Sequence, residues 1–309
     1  MTEKLILSSS PHFKTNGSTR RIMASVLICL LPAVAASCAI FGMRSLLVVA
    51  FCASVCVVAE YLCRLVMKRK QTIGDLSAAV TGVLLALTLP PEINLAYCLV
   101  GCIAAIVVVK QMFGGIGCNF VNPAIVGRII MLVSFPSAMT EWTYDGVTTA
   151  TPLTAGADIK DLLLGTTGGS LGETCAIALI VGGIALIALG VIRPVIPVCF
   201  IGTVALMSLI CGKDIPVQIL GGGLLLGAFF MATDYTTSPL TDLGKAIYAV
   251  GCGFLTCAIR FWANLPEGVS YAIMIMNIVT PLIDRYIHPT PFGEKERKKK
   301  LKLGEAAKK

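Results

Sequence analysis

Ten long apolar segments constrain most strongly how this chain can fold. They lie near 22–42, 45–67, 72–89, 95–113, 121–137, 173–192, 194–212, 216–233, 243–262 and 268–287. A helix that crosses the hydrocarbon core of a bilayer needs about 20 mostly apolar residues, and these segments meet or approach that length. Only 14% of the residues are charged, whereas soluble domains carry about a quarter. The sequence therefore predicts an all-α polytopic membrane protein and excludes a soluble enzyme or nucleic-acid reader.

The distribution of Lys and Arg predicts how these segments are oriented. If the N-terminus is cytoplasmic, all but four of the 25 basic residues fall on the cytoplasmic side. The four exceptions are Arg44, Lys160, Lys213 and Arg260. Cytoplasmic loops of membrane proteins carry such an excess of positive charge. We therefore expect both termini in the cytoplasm, the long connection 138–172 outside it, and the basic tail 288–309 near anionic membrane lipid rather than nucleic acid.

Two pairs of similar stretches indicate an internal duplication. Residues 119–123, NFVNP, resemble residues 277–281, NIVTP, and the Gly-Leu-rich stretch at 82–91 resembles the one at 223–239. Each half would hold five spans, and because five is odd, the halves would be inserted in opposite orientations. Inverted repeats place functional sites at the interface of the repeats, often beside broken helices. The predicted organisation is 1–21, a cytoplasmic segment; 22–137, the first repeat; 138–172, the external loop; 173–287, the second repeat; and 288–309, the tail.

The cysteines and histidines do not predict a metal site. The chain has 13 Cys and 2 His, no CxxC pair occurs, and nearly all the cysteines lie inside apolar runs. In such surroundings Cys behaves as a small buried hydrophobe. We expect neither a metal site nor a set of catalytic residues formed by this chain alone.

The external loop contains the stretch Asp145-Gly-Val-Thr148-Thr149-Ala150-Thr151. A stretch rich in Thr, Gly and Pro is also typical of an ordinary loop. The pattern Asp-x-x-Ser/Thr-x-Ala-Thr nevertheless resembles the flavinylation signature, in which a flavin transferase joins FMN to the last Thr through a phosphoester. The resemblance implies covalent FMN on Thr151, with Asp145, Thr148 and Ala150 completing the motif. Thr149 departs from it, since Gly is frequent at that position.

Three further stretches extend the resemblance to nearly the whole chain. They are residues 113–123, FGGIGCNFVNP; residues 227–239, GAFFMATDYTTSP; and residues 277–284, NIVTPLID. With the loop between them, these stretches resemble the family of the D subunits of the Rnf complex, which is related to the B subunits of the sodium-pumping NADH:quinone reductase. The short segment before the first span favours Rnf, because the quinone-reductase protein has a longer N-terminal extension.

The resemblance implies a ten-helix membrane protein with two inverted five-helix repeats and a urea-transporter-like fold. It also implies a bacterial cytoplasmic-membrane complex that transfers electrons between ferredoxin and NAD⁺ and pumps Na⁺ or H⁺. The expected partners are the A, B, C, E and G subunits of Rnf, with the flavin-carrying G subunit closest. The expected cofactors are covalent FMN and a second, non-covalent flavin, riboflavin. Flavin suits such a chain of electron carriers, and the protein's part is to fix the position and surroundings of the flavin ring.

Acidic residues in the spans are candidates for an ion path. An ionisable group inside a membrane is costly and usually faces a cavity or a partner. Glu60, Asp234 and Asp284 match the family's acids for cation uptake, and all three are predicted on the cytoplasmic half of their spans. For Glu60 the alternative is a paired carboxylate without a role in transport.

Small and polar residues before the fifth span allow two interpretations. Gly114, Gly115, Asn119 and Asn122 either let helices pack closely and satisfy freed backbone groups, or line a flavin pocket. Two other functions also remain open for the whole chain. One is a solute channel or transporter with the same fold, and the other is a passive membrane scaffold.

Overall fold

The structure is a computed structural model that describes residues 18–144, 147–149, 151, 153, 158–263 and 268–287. Most of the N-terminal segment and the whole basic tail 288–309 therefore lie outside the described residues. So do Asp145 and Ala150 of the loop motif.

The fold is helical, and each of the ten predicted spans contains helix. The first half comprises α1 (Thr19–Phe41), α2 (Met43–Val66), α3 (Ser77–Leu87), α4 (Leu95–Ile103) and α5 (Pro123–Ser134). The connection comprises α6 (Pro136–Thr140), β1 (Trp142–Tyr144), β2 (Val147–Thr149) and α7 (Ile159–Leu164). The second half comprises α8 (Ala176–Ala188), α9 (Val195–Ile210), α10 (Ile215–Leu220), α11 (Leu224–Leu226), α12 (Asp242–Trp262) and α13 (Gly268–Tyr286). The antiparallel ribbon of β1 and β2 is an addition to the predicted all-α fold.

The third span of each half is interrupted, as expected from the Gly, Pro and Asp residues in segments 72–89 and 216–233. A 3₁₀ turn, Ile73–Asp75, precedes α3, and the chain turns through Leu76 at φ +63°. In the second half, α10 and α11 are separated by Gly221–Gly223, with Gly223 at φ +66°. A left-handed residue ends the helical hydrogen-bond pattern, and glycine adopts that conformation at little cost. Both breaks leave backbone groups that other residues must satisfy.

Two helices widen into π-helix near the middle of the molecule. Helix α4 continues as a π-helix over Ala104–Gln111, and α11 continues as one over Gly227–Met231. π-Helical segments are rare in proteins, and those that occur are often found at functional sites. Among the described residues, α1, α2 and α12 are long and apolar enough to cross a membrane alone, whereas several other apolar helices have only 10–17 residues.

Several helix neighbours in the first half have equivalents in the second half. Helix α2 packs on α3 and α4, and α4 packs on α5; in the second half, α9 packs on the broken span and on α12, and α12 packs on α13. The halves meet where α1 contacts α8 and where α5 contacts α13. This equivalence agrees with the similar stretches found in the sequence.

Two pairs of helices approach each other closely at glycine residues, which have no side chain. A Cβ on Gly82 of α3 would lie 2.6 Å from the carbonyl oxygen of Cys52 on α2. A Cβ on Gly182 of α8 would likewise collide with the carbonyl of Cys29 on α1. Small residues at such contacts let helix backbones approach each other.

The connecting segments fall into two groups at opposite ends of the molecule. We call the end where α1 begins the N-terminal end; there the side-chain hydroxyl of Tyr235 donates to the carbonyl of Val191. We call the end where α1 finishes the loop end, because the long connection lies there. At the loop end, Arg44 donates to the carbonyl of Glu92 at 3.0 Å. Helix α1 has 23 residues, so the two ends are about 35 Å apart.

Candidate functional site

The loop motif follows the short ribbon at the loop end. Thr148 pairs with Thr143 in the ribbon, and Trp142 pairs with Thr149. Thr151 comes two residues after β2, and its side chain is only 9% exposed. Access to this hydroxyl therefore requires its neighbours to move.

Leu153 docks the motif onto the broken third span of the second half. A Cβ on Gly222 would lie 2.5 Å from Cδ1 of Leu153, and one on Gly221 would lie 3.8 Å from Cδ2. Gly222 also has φ +69°. Only glycine meets both requirements, so the break in the helix also forms the surface on which Leu153 rests.

Arg260 holds the backbone that forms this surface. Its Nη1 donates to the carbonyl of Gln218 at 2.7 Å, and its Nη2 donates to the carbonyls of Gly222 at 2.9 Å and Gly221 at 3.3 Å. Its Nε has no partner in the described structure. The Glu173 carboxylate accepts a hydrogen bond from the N–H of Gly222. Arg260 and Glu173 therefore hold the carbonyl and the amide of the same glycine, a role that the sequence analysis missed.

Glu60 is the centre of a buried polar network near the N-terminal end. Its side chain is fully buried, and its Oε2 accepts from Nζ of Lys110 at 2.9 Å. Its Oε1 accepts from Nε2 of Gln111 at 2.8 Å and from the Thr72 hydroxyl at 3.1 Å, and lies 3.6 Å from Nε of Arg64. Glu60 is therefore a paired carboxylate in this structure.

Lys110 connects this network to the start of α3. Its Nζ donates to the Ser77 hydroxyl at 2.7 Å as well as to Glu60. The Ser77 hydroxyl in turn donates to Asp75 at 2.7 Å, and the Ser77 N–H donates to the same carboxylate oxygen at 3.0 Å. The break before α3 is thus held by Lys110 much as the break after α10 is held by Arg260.

A cavity of about 390 Å³ lies between the two halves. Its apolar walls include Val80, Phe229 and Phe230, and its polar walls include Lys110 and Asp234. Further polar lining comes from Ser77, Thr81, Asn119, Asn122 and Thr236. Both π-helical segments contribute to these walls, which places the cavity where inverted repeats would bind a ligand.

The four glycine and asparagine candidates separate into two pairs. Asn119 and Asn122 line the cavity, whereas Gly114 and Gly115 do not. Gly114 and Gly115 have φ values of +127° and +104°, and a Cβ on Gly115 would collide with the Arg64 guanidinium. These two glycines therefore serve the turn and its packing.

Asn122 has a structural role in addition to lining the cavity. Its Oδ1 caps α5 by accepting from the N–H of Ala124 at 3.0 Å. Its Nδ2 donates to the carbonyl of Met231 at 3.1 Å, at the end of the second π-helix. Asn122 therefore ties the first half to the second across their interface.

The structure separates the two remaining acidic candidates. Asp234 lines the cavity and accepts from the Thr236 hydroxyl at 2.9 Å. Asp284 does not line it; its Oδ1 accepts from the N–H of Leu240 at 3.1 Å. Asp234 thus shares a cavity with Lys110, the partner of Glu60, and Asp284 lies apart from both.

Comparison with known proteins identifies relatives along nearly the whole chain. A model of the family described as NQR2, RnfD, RnfE matches residues 6–293. The D subunit of the Na⁺-translocating ferredoxin:NAD⁺ oxidoreductase complex of Acetobacterium woodii is 44% identical, over 96% of this chain and 98% of the relative. The D subunit of the proton-translocating ferredoxin:NAD⁺ oxidoreductase complex of Clostridium ljungdahlii is 41% identical, over 93% and 96%.

A more distant relative shows the same coverage. The D subunit of the ion-translocating oxidoreductase complex of Stutzerimonas stutzeri is 34% identical, over 92% of this chain and 95% of the relative. Both the family model and the full-length relatives agree with the resemblance found in the sequence. The chain belongs to the NQR2, RnfD, RnfE family.

Proposed function

We propose that this chain is the D subunit of an ion-translocating ferredoxin:NAD⁺ oxidoreductase of a bacterial cytoplasmic membrane. In this role it carries electrons between ferredoxin and NAD⁺ as part of a complex with the other Rnf subunits. The complex moves Na⁺ or H⁺ across the membrane. Of the similar relatives, one belongs to a complex named as Na⁺-translocating and another to a complex named as proton-translocating. Both termini would lie in the cytoplasm and the loop end outside it, in a ten-helix arrangement of two inverted repeats.

The observation that carries the proposal is the position of Thr151. Thr151 supplies the hydroxyl for a phosphoester with FMN, and Leu153, two residues later, rests on Gly221 and Gly222. A phosphoester linkage carries negative charge, and Arg260 is a buried cation in contact with the same glycines. Thr151 would hold the tethered flavin phosphate, and Arg260 would order the glycines on which Leu153 rests. When bound there, FMN would supply the electron transfer, and the protein would hold it at the loop end, within reach of the flavin on the G subunit.

Covalent attachment can be tested by in-gel fluorescence of the denatured chain, expressed with the flavin transferase. The wild type should fluoresce and Thr151→Ala should not, because the phosphoester oxygen is lost. Thr149→Ala is the matched control: it lies in the same loop, at a position where the motif accepts a residue without a hydroxyl. A non-fluorescent wild type would remove the redox proposal and leave a transporter of the same fold as the better explanation.

The cavity between the halves is our candidate site for the non-covalent flavin, riboflavin. Ligand pockets have volumes of about 300–1,000 Å³ and combine apolar walls with a few polar groups. Phe229, Phe230 and Val80 suit the faces of a flat ring system, and Asn119 and Asn122 suit its hydrogen-bonding edge. The residues therefore fit this cofactor.

Occupancy of this cavity can be measured as acid-released flavin per chain. The measurement uses the Thr151→Ala chain, so that covalent FMN does not contribute. Adding Val26→Phe, which fills the cavity from α1, should abolish the released flavin. Adding Leu31→Phe, on the lipid-exposed face of the same helix, should leave it unchanged. Equal flavin in both variants would exclude this cavity as the site.

A further inference from the structure

We propose that a groove between α2 and α4 binds an anionic phospholipid. One acyl chain would lie in the groove, and the phosphate would bind to the exposed turn that follows α2. The lipid would come from the leaflet at the N-terminal end. The proposal requires that the chain spans a membrane, but it does not depend on the flavin or on ion transport.

The groove has a volume of about 740 Å³ and is almost entirely apolar. Val58, Leu62 and Val66 line it from α2, and Leu99 and Ile103 line it from α4. These five side chains are between 41% and 81% exposed. The groove is therefore open to whatever surrounds the helices.

The length of the groove matches one leaflet of a bilayer. Along α2 it runs from Ser54 to Met67, which is about 20 Å of helix. Half of the hydrocarbon core is about 15 Å thick, whereas a partner's transmembrane helix would need a face of about 30 Å. A lipid chain that starts at the membrane surface fits this length better than a partner helix does.

A cluster of positive charge follows directly after Met67, the last residue of this segment that lines the groove. Lys68, Arg69 and Lys70, which we call the basic turn, are all exposed, and none forms an ion pair with any acid in the described structure. The nearest buried acid, Glu60, is already bound by Lys110. The basic turn is therefore an uncompensated cationic patch at the level expected for lipid headgroups.

The backbone holds the basic turn across the mouth of the groove. Lys68 has φ +52°, an uncommon conformation for a residue with a side chain, and it reverses the chain after α2. The N–H of Arg69 then donates to the carbonyl of Arg64 at 3.0 Å, and its Nη1 donates to the carbonyl of Gln111 at 3.4 Å. Arg69 thus spans from the α2 wall to the end of the α4 wall.

The apolar groove and the basic turn together specify the chemistry of the ligand. The apolar walls accept an acyl chain, and the basic turn favours a headgroup with net negative charge, such as that of phosphatidylglycerol. One Lys or Arg near the surface improves binding of anionic lipid by about fivefold. Phosphatidylcholine offers the same chain with no net charge, so it should bind less tightly.

Quenching of a tryptophan by brominated lipids can test the site in the full-length chain, reconstituted into vesicles. Leu62→Trp puts the probe in the groove, and the added fluorescence is compared with that of the parent chain. Val198→Trp is the control, because Val198 is also lipid-exposed and lies three residues from the end of its helix at Val195, as Leu62 lies four residues from Val66. The nearby Arg193 is paired with Asp242 at 2.5 Å, so its positive charge is compensated, unlike the charges of the basic turn.

We expect brominated phosphatidylglycerol to displace phosphatidylcholine from the Leu62→Trp probe with at least about a fivefold preference. Replacing the basic turn by Lys68→Gln, Arg69→Gln and Lys70→Gln should remove that preference. Arg20→Gln with Arg21→Gln, an exposed basic pair at the same end, should retain it, and the Val198→Trp probe should show none. Equal quenching by both lipids at Leu62→Trp would overturn the proposal. So would the absence of quenching by either lipid, which would indicate that protein fills the groove.

Discussion

The Lys110 ammonium lies 2.9 Å from the Glu60 carboxylate, and neither side chain is more than 3% exposed. Opposite charges held this closely away from water neutralise each other, but removing either one leaves the other buried without its counter-charge. The pair joins α2 to the π-helical end of α4, and through Ser77 it also reaches the start of α3. It thus fixes three elements of the first half around the cavity.

We therefore expect Glu60→Ala to destabilise the protein by about 3–5 kcal/mol, the usual cost of breaking a buried ion pair by removing one partner. The double variant Glu60→Leu, Lys110→Met should recover most of that loss. Thermal unfolding in detergent, followed by circular dichroism, measures both. Arg193→Met is the control, since it breaks an exposed pair and should cost less than about 1 kcal/mol. If the stability lost in the double variant equals the sum of the losses in the two single variants, the two charges are not coupled.

Close helix contact predicts opposite effects for two glycines. Gly82→Ala should destabilise the protein by about 1–3 kcal/mol, because the new methyl group meets backbone atoms of α2 that cannot move aside easily. Gly202→Ala on α9 has nothing within 4 Å of the new Cβ, so it should be neutral or stabilise the helix by up to about 1 kcal/mol. The same unfolding measurement distinguishes them. Equal effects would argue against close packing of α2 and α3.

Neither Lys nor a neutral residue should replace Arg260 without a loss of stability. Its guanidinium donates to three backbone carbonyls around the break after α10, and Lys cannot reproduce that fork. We expect Arg260→Lys to destabilise the protein by about 1–3 kcal/mol. Because Leu153 rests on the same break, the yield of covalent flavin at Thr151 should fall as well. Normal flavin yield in a destabilised variant would show that Arg260 supports only the helix.

Much of this architecture could be predicted from the sequence, because membrane spans leave a strong hydropathy signal. All ten apolar segments contain helix, and the loop motif and the family followed from residues alone. Interruptions in segments 72–89 and 216–233 were also predicted, but the backbone conformation at each break was not. Leu76 is a non-glycine residue in a left-handed conformation, which propensity gives no reason to expect. The Gly221–Gly223 run, in contrast, marked the other break, because glycine readily adopts the positive φ found there.

The polar networks could not be predicted, since they depend on which helices become neighbours. Glu60 was a candidate from its position in a span, but Lys110 is 50 residues away and appeared only as part of a charge count. Arg260 was similarly counted as an exception to the charge rule. Its role became visible only once α12 was packed beside the broken span. A buried charge without an assigned partner was the available signal for both residues.

The different positions of Asp234 and Asp284 lead to the last prediction. Asp234 lines the cavity between the halves, whereas Asp284 accepts a backbone hydrogen bond outside it. If Na⁺ or H⁺ passes through that cavity, Asp234→Asn should reduce ion uptake by the reconstituted complex roughly tenfold or more, because a charged binding partner worth about 1.5–3 kcal/mol is lost. Asp284→Asn keeps an oxygen that can accept from Leu240, so it should change uptake little. Flavin content and electron transfer are measured in parallel, so that loss of cofactor is not mistaken for loss of transport. The reverse result, with Asp284→Asn blocking uptake and Asp234→Asn sparing it, would move the path away from the cavity to the surface of α13.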